Sequence, residues 1–214
     1  MQRLISQIGR SQRLAVVNLL KRSQGLTVRE LAQRLGMSYM GVKQHCLTLE
    51  RDGYLGTFRR HRGVGRPELL YHLTTKAQDL FPQADNVLSI SLLQQARKLY
   101  GATAAEKILF LHFQEKAKAY VAKVQGETAA DRAKSFARLR DREGHMADFE
   151  SEPAPHIIER HHPMQALFEA FPEAAGMERD LFQRVLGVSV RREQRQAGRG
   201  GTYEYVFSLP SGGA

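Results

Sequence analysis

Met40, Lys43, Gln44, Leu47 and Thr48 recur at the spacing that gathers side chains on one face of a helix, with Ser38 and Tyr39 at its N-terminal end. These side chains suit the edges of base pairs. A glutamine bonds adenine in a bidentate manner, a lysine reaches guanine or a phosphate, and Met or Leu touches a thymine methyl. His45 lies toward the flank, where it either donates to a phosphate or sits as a satisfied interior histidine. Further on, Arg59, Arg60, Arg62 and Arg66 surround Gly63 and Gly65. Guanidinium groups beside glycines that let the backbone approach suit phosphate contacts, or an arginine inserted in a minor groove. Both groups of residues imply double-stranded DNA as partner.

Three helices and a hairpin must position these groups. From Ser11, the residues Leu14, Val17, Leu19 and Leu20 suit one face of a first helix, which Gln24-Gly25 ends through a left-handed cap. Thr27 and Glu30 form the capping box of a second helix, whose stripe Val28, Leu31, Leu35 stops at Gly36. Ser38 caps a third that runs to Asp52, with Gly53 placed to leave it. Two helices joined by a tight glycine turn make a helix-turn-helix. On the third helix Val42, Cys46 and Leu49 face inward, so Cys46 reads as a buried filler rather than a reactive thiol. Residues 54–60 and 69–73, with Leu69, Tyr71 and Leu73 as apolar side chains of the second arm, read as strands joined by a glycine-rich turn. That hairpin is a wing. A solvated basic hairpin is the bland alternative, and its place directly behind a helix-turn-helix argues against it.

The charge distribution agrees with this reading. The chain of 214 residues carries a net charge of +10, and residues 1–76 hold 14 Lys plus Arg against 4 Asp plus Glu, whereas residues 77–214 hold 18 of each. A basic block joined to a neutral remainder is the footprint of a nucleic-acid-binding module with a second unit of other purpose. A basic face kept for solubility is the competing account. The longest apolar stretches, Leu14 to Val17 and Ile108 to Phe113, fall far short of the roughly 18 residues a membrane span needs. No membrane partner is expected. The residues from Met1 to Arg10 lack the apolar core of a signal peptide, so the expected location is cytoplasmic. One cysteine excludes an intrachain disulfide and any zinc or iron–sulfur site built on cysteines within one chain.

Beyond the wing, Val87, Leu88, Leu92, Leu93, Ala96 and Leu99, and then Ile108, Leu109, Leu111, Phe113, Ala117, Tyr120 and Val121, spell two helices separated near Gly101. They either dimerise the chain or pack within it. Ala129 to Glu143, Met164 to Phe171 and Met177 to Leu186 read as helices; Met146 to Phe149, Ile157 to Glu159, Val188 to Arg192 and Tyr203 to Phe207 read as strands, the last two joined at Gly198 to Gly201. His145, His156, His161 and His162 invite a metal reading, since imidazole suits zinc, copper, iron or nickel. Their spacings of eleven, five and one match no closed structural motif, so no metal ligand is assigned. No Ser/His/Asp grouping, phosphate loop or carboxylate pair argues for catalysis, and no enzyme is expected.

The N-terminal residues Leu26-Thr27-Val28-Arg29-Glu30-Leu31-Ala32, Leu35-Gly36-Met37-Ser38, Asp52-Gly53-Tyr54-Leu55 and Gly65-Arg66-Pro67 resemble winged-helix regulators of the broad ArsR and DeoR-like groups. With Leu73-Thr74-Thr75-Lys76-Ala77 after the wing, the chain looks in particular like the SufR-like repressors of iron–sulfur cluster assembly. The likeness continues through Gly144-His145-Met146-Ala147 and Glu159-Arg160-His161-His162-Pro163-Met164. That family holds a cluster on cysteines. Here His162, Ala175, Arg195 and Thr202 or Tyr203 stand where its pattern has them, so no cofactor is expected, because thiolates are what hold such clusters.

The resulting expectation is an α+β chain. Residues 1–82 form a winged helix-turn-helix, 83–126 a helical dimerisation segment, and 127–214 a small α+β domain that senses an unknown effector or supports the dimer. The leading expectation is a homodimeric, sequence-specific transcriptional regulator, a repressor or an activator, with the SufR-like resemblance favouring a repressor. The alternatives are a winged-helix module that binds a protein partner, and a histidine-based metal sensor.

Overall fold

The computed structural model describes residues 12–61, 67–81, 86–197 and 202–210. The expectations placed on Ser11, Arg62, Gly63, Gly65, Arg66 and the turn at 198–201 lie outside them. The chain divides into two compact units, residues 1–81 with 196–203, and residues 82–195 with 204–214.

In the first unit, α1 (Gln12–Lys21), α2 (Val28–Leu35) and α3 (Tyr39–Arg51) precede β1 (Leu55–Arg60), β2 (Glu68–Leu73) and a 3-10 turn over Thr75–Leu80. Val16, Val17 and Leu20 of α1, Leu31 of α2, and Val42 and Cys46 of α3 are all buried, and the three helices pack on one another. The start of α2 is set by reciprocal capping: Thr27 Oγ1 accepts from the Glu30 N–H at 3.1 Å, and the Thr27 N–H donates to Glu30 Oε2 at 2.8 Å. Gly36 ends it with φ of 62°, a left-handed value that glycine adopts without strain. The strands β1 and β2 pair antiparallel from Leu55↔Leu73 to Arg60↔Glu68.

A second backbone pairing ties this hairpin to the helices. The Leu26 N–H donates to Tyr71 O at 3.0 Å and the Tyr71 N–H to Leu26 O at 2.8 Å. Gly25, at φ of +128°, allows the approach, because a Cβ there would stand 2.9 Å from Phe58 Cε1 and 3.2 Å from Tyr71 O. In β2, Leu69 is exposed, and Leu70, Tyr71 and Leu73 are buried. Successive strand residues point to opposite faces, so β2 is covered on both sides and period two no longer marks the inner one.

The second unit comprises α4 (Val87–Tyr100), α5 (Ala104–Val121), α6 (Ala129–Arg140) with a single π-helical turn over Asp141–His145, β3 (Ala147–Glu150), β4 (His156–Glu159), α7 (Gln165–Ala170), α8 (Ala174–Leu186), β5 (Arg191–Ala197) and β6 (Thr202–Ser208). Its sheet has the order β3-β4-β6-β5. Phe113, Ala117 and Tyr120 of α5 join Phe136 of α6, Phe182 of α8 and Phe207 of β6 in one core, where Phe182 and Phe207 stack with centroids 3.6 Å apart. β5 starts at Arg191 rather than at Val188. The Val190 N–H is taken by Gln183 Oε1 at 3.1 Å, which removes it from any ladder.

Within this core lies an ionic network. Arg140, 2% exposed, donates from Nε to Glu159 Oε1 at 2.6 Å, and from Nη2 to Glu159 Oε2 at 2.9 Å and Glu178 Oε1 at 2.8 Å. Arg192 donates to the other Glu178 oxygen at 3.0 Å. Burial is the largest influence on the Glu159 carboxyl and pushes it up, but Arg140 and His145 together outweigh it and hold the group down at about 2. Two arginines, of which Arg192 is partly exposed, and two buried glutamates therefore balance in charge.

Two outcomes follow for stability. Thr27→Ala removes half of the capping box and is expected to cost about 1 kcal/mol in urea unfolding. Arg140→Met leaves Glu159 and Glu178 buried beside each other and is expected to cost about 3–5 kcal/mol, with Arg140→Lys failing to restore it, since an ammonium cannot bond both carboxylates as a planar fork does.

Candidate nucleic-acid interface

The helix α3 lies on α1 and α2 through Val42, Cys46 and Leu49, all buried, and this fixes which side faces outward. Tyr39, Met40, Lys43, Gln44 and Leu47 form its exposed face, with Met40 at 68% exposure the most open of its apolar side chains. The other candidates on α3 are already engaged. Ser38 Oγ accepts from the Gly41 N–H at 3.1 Å as the N-cap, and Thr48 Oγ1 donates to Gln44 O at 3.0 Å. His45 is half-buried, with Nε2 3.2 Å from Gln12 Oε1 of α1. The Cys46 thiol is pushed up to about 12, first by burial and then by the Glu50 charge, so at neutral pH it is not a nucleophile.

In the hairpin, Arg59 is exposed at the distal end of β1. Arg60 instead lies along the stem, 3.2 Å from Glu68 Oε2 across the strands and 3.8 Å from Glu30 Oε1 of α2. The positions of Arg62 and Arg66 lie outside the described residues. Lys76 donates to Asp52 O at 2.9 Å and covers the Tyr54 ring, a cation placed where the last carbonyls of α3 carry negative partial charge. Sequence reading missed the acidic partners of Arg60. Once the register of the hairpin is known, Arg60 opposite Glu68 is an evident pair, but the register depends on the turn.

A compact trihelical unit with an exposed second helix of the turn, followed by a two-stranded hairpin, is the arrangement that inserts one helix in a major groove. The family of winged helix-turn-helix DNA-binding domains matches residues 10–55, from just before α1 to the first residue of β1. The first unit holds a winged helix-turn-helix DNA-binding domain. This domain makes the chain a DNA-binding regulator of transcription. The comparison with curated proteins gives no match. Among the described residues no helix is long and apolar enough to cross a membrane.

The four histidines that the sequence offered as metal candidates divide into two kinds. His156 is held by Ala154 O at 2.8 Å and lies 3.5 Å from Glu150. His145, His161 and His162 are all buried. His162 Nε2 is 3.0 Å from Glu178 Oε1, and the His145 and His162 rings meet edge to face with centroids 5.2 Å apart. One ligand atom each from His145, Glu159 and His162 lie within 4.8 Å of one another. The chain spacing of the histidines gave no hint of this group, because His145, Glu159 and His162 come from the π turn, the end of β4 and the residues before α7.

Glu68→Gln should free Arg60 from its partner across the wing stem and remove one negative charge from it. The expected result is tighter binding to non-specific duplex DNA at low salt, by up to about 5-fold, the range that an exposed ion pair commands. Fluorescence anisotropy over a salt series measures it, and weaker binding would show that Arg60 acts only in its paired form.

Proposed function

We propose that this chain is a sequence-specific repressor that binds its operator as a homodimer in the cytoplasm. The observation that carries the reading is the outward face of α3, where Met40, Lys43 and Gln44 stand together and unshielded. These three read base edges, with Tyr39, Thr48, Ser38 and His45 at the margins of the contact. Arg59, Arg60, Arg62 and Arg66 hold phosphates. The excess of positive charge, all within residues 1–76, supports this division. The SufR-like resemblance supports repression as the sign of regulation.

The segment 83–126 supports the homodimer. Val87, Leu88, Leu92 and Leu99 of α4 are exposed, an apolar row that a second copy would cover. The remainder, 127–214, is the effector-sensing or dimer-supporting domain. An effector changes affinity for DNA only if it binds one conformational state better than another.

Selection from a random duplex library tests the reading. An enriched inverted repeat is expected, with half-sites about one helical turn (about 10 base pairs) apart. On that duplex, Lys43→Ala should cost about 1–3 kcal/mol and relax preference at one position, while Arg59→Ala should weaken all sequences alike and lower the salt slope by about 1. Absence of enrichment, together with binding that ignores salt, would favour the second reading, a module that docks a protein partner on the exposed Tyr39, Met40 and Leu47.

A further inference from the structure

We propose that His145, His162 and Glu159 form a binding site for one divalent first-row transition cation of zinc-like preference. The inference concerns the effector half of the function proposed above, and its test uses no DNA. Three observations carry it.

The first is convergence. Two imidazoles and one carboxylate, drawn from the π turn, the residues before α7 and the end of β4, bring ligand atoms within 4.8 Å of one another. Ligands at about 2.0–2.2 Å from a tetrahedral ion stand roughly 3.3–3.6 Å apart, so the group must close by about 1 Å, a matter of side-chain torsions. The second is unsatisfied nitrogen. His145 Nδ1 and His162 Nδ1 are both buried and make no hydrogen bond. His145 Nδ1 lies 3.0 Å from Glu159 Oε2 but out of line for one. Leaving a buried polar atom this way is costly, and a bound cation would offset that cost.

The third is orientation. The His162 Nε2–H donates to Glu178 Oε1, so its lone pair resides on Nδ1. A carboxylate holding the far nitrogen of an imidazole is the arrangement that fixes tautomer and ring angle at metal sites. Glu159 holds Arg140 Nε on Oε1, and its Oε2, which accepts from Arg140 Nη2 at 2.9 Å, also faces His145, so it would ligate through a remaining lone pair. The resident charges of Arg140, Arg192, Glu159 and Glu178 cancel, so a divalent ion needs an anionic fourth ligand. Hydroxide from water would offset one of the two added charges, because the ion lowers the pKa of the water it binds. His161 is adjacent in sequence to His162 but contributes no atom to the group.

The test is a titration of the untagged, chelator-treated full chain with cobalt(II), followed by displacement with zinc(II). The expected result is a visible d–d band that saturates at one equivalent and vanishes on adding zinc. His162→Gln and His145→Gln should each weaken zinc binding at least 10-fold in a competition assay, while His161→Gln should leave it unchanged. Glu178→Gln should weaken it about 10- to 100-fold by releasing the His162 ring. Failure of the wild-type chain to give a saturable cobalt band would overturn the proposal, independently of how any variant folds. So would a band that survives in the His145→Gln, His162→Gln double variant, or one lost only with His161.

Discussion

A guanidinium without access to water governs the second unit. Arg140 closes α6, and its fork spans Glu159 at the end of β4 and Glu178 on α8, so three elements are fixed by one side chain. Removing any one of these groups strands the others without hydration, which makes the arrangement all-or-none. The consequence reaches the backbone. The π turn that follows Arg140 carries His145 into the same interior, and His145 O accepts from the His161 N–H at 3.1 Å, bringing the segment that bears His162 alongside.

In the winged helix-turn-helix the equivalent constraint is made of backbone rather than charge. The Leu26–Tyr71 bridge holds the turn between α1 and α2 to the hairpin, and Gly25 is the residue whose lack of a side chain permits it. Leu26 leads directly to Thr27, the cap that fixes the start of α2, and α2 with its Gly36 turn sets the direction of α3. The face that α3 presents thus depends on packing at residues that touch no duplex. Lys21 belongs to the same support: its ammonium is buried against the Phe81 ring and bonded to Gln78 Oε1, and burial lowers it to about 8. It counts in the sequence as a basic residue of the N-terminal block, yet it cannot reach a phosphate.

Legibility in the sequence followed the range of the interactions. The capping residues Thr27 and Ser38, the left-handed Gly36 and the inward stripe Val42, Cys46, Leu49 act within a few residues of one another, and each was readable from local pattern. The hairpin was readable as a hairpin but not in its details, because Leu70 is buried by helices far from it in sequence. Arg60 counted as a free wing arginine until its register placed Glu68 opposite. The buried network was the least legible feature. Arg140, Glu159 and Glu178 carry no local signal that sets them apart from surface charges, and only tertiary structure turns them into a core. Likewise, a test of histidine spacing along the chain was bound to overlook a site whose ligands are joined through space and whose third member is a glutamate.

The chemistry of that core bears on why it is ionic at all. Apolar side chains of similar volume often replace a buried ion pair without loss of stability, and sometimes with a gain. Stability alone therefore does not account for two arginines, two glutamates and two imidazoles packed among Phe168, Phe182 and Tyr205. The arginine–glutamate part is self-sufficient, since its bonds satisfy the four charges. The imidazoles are not, because each buries an Nδ1 without a hydrogen bond. A core selected only to be satisfied would place an aromatic ring there, and the neighbouring phenylalanines show that such rings fit. The two nitrogens make sense when something arrives to share their lone pairs, and the ionic frame then has a purpose: it keeps the rings oriented in the absence of that ligand.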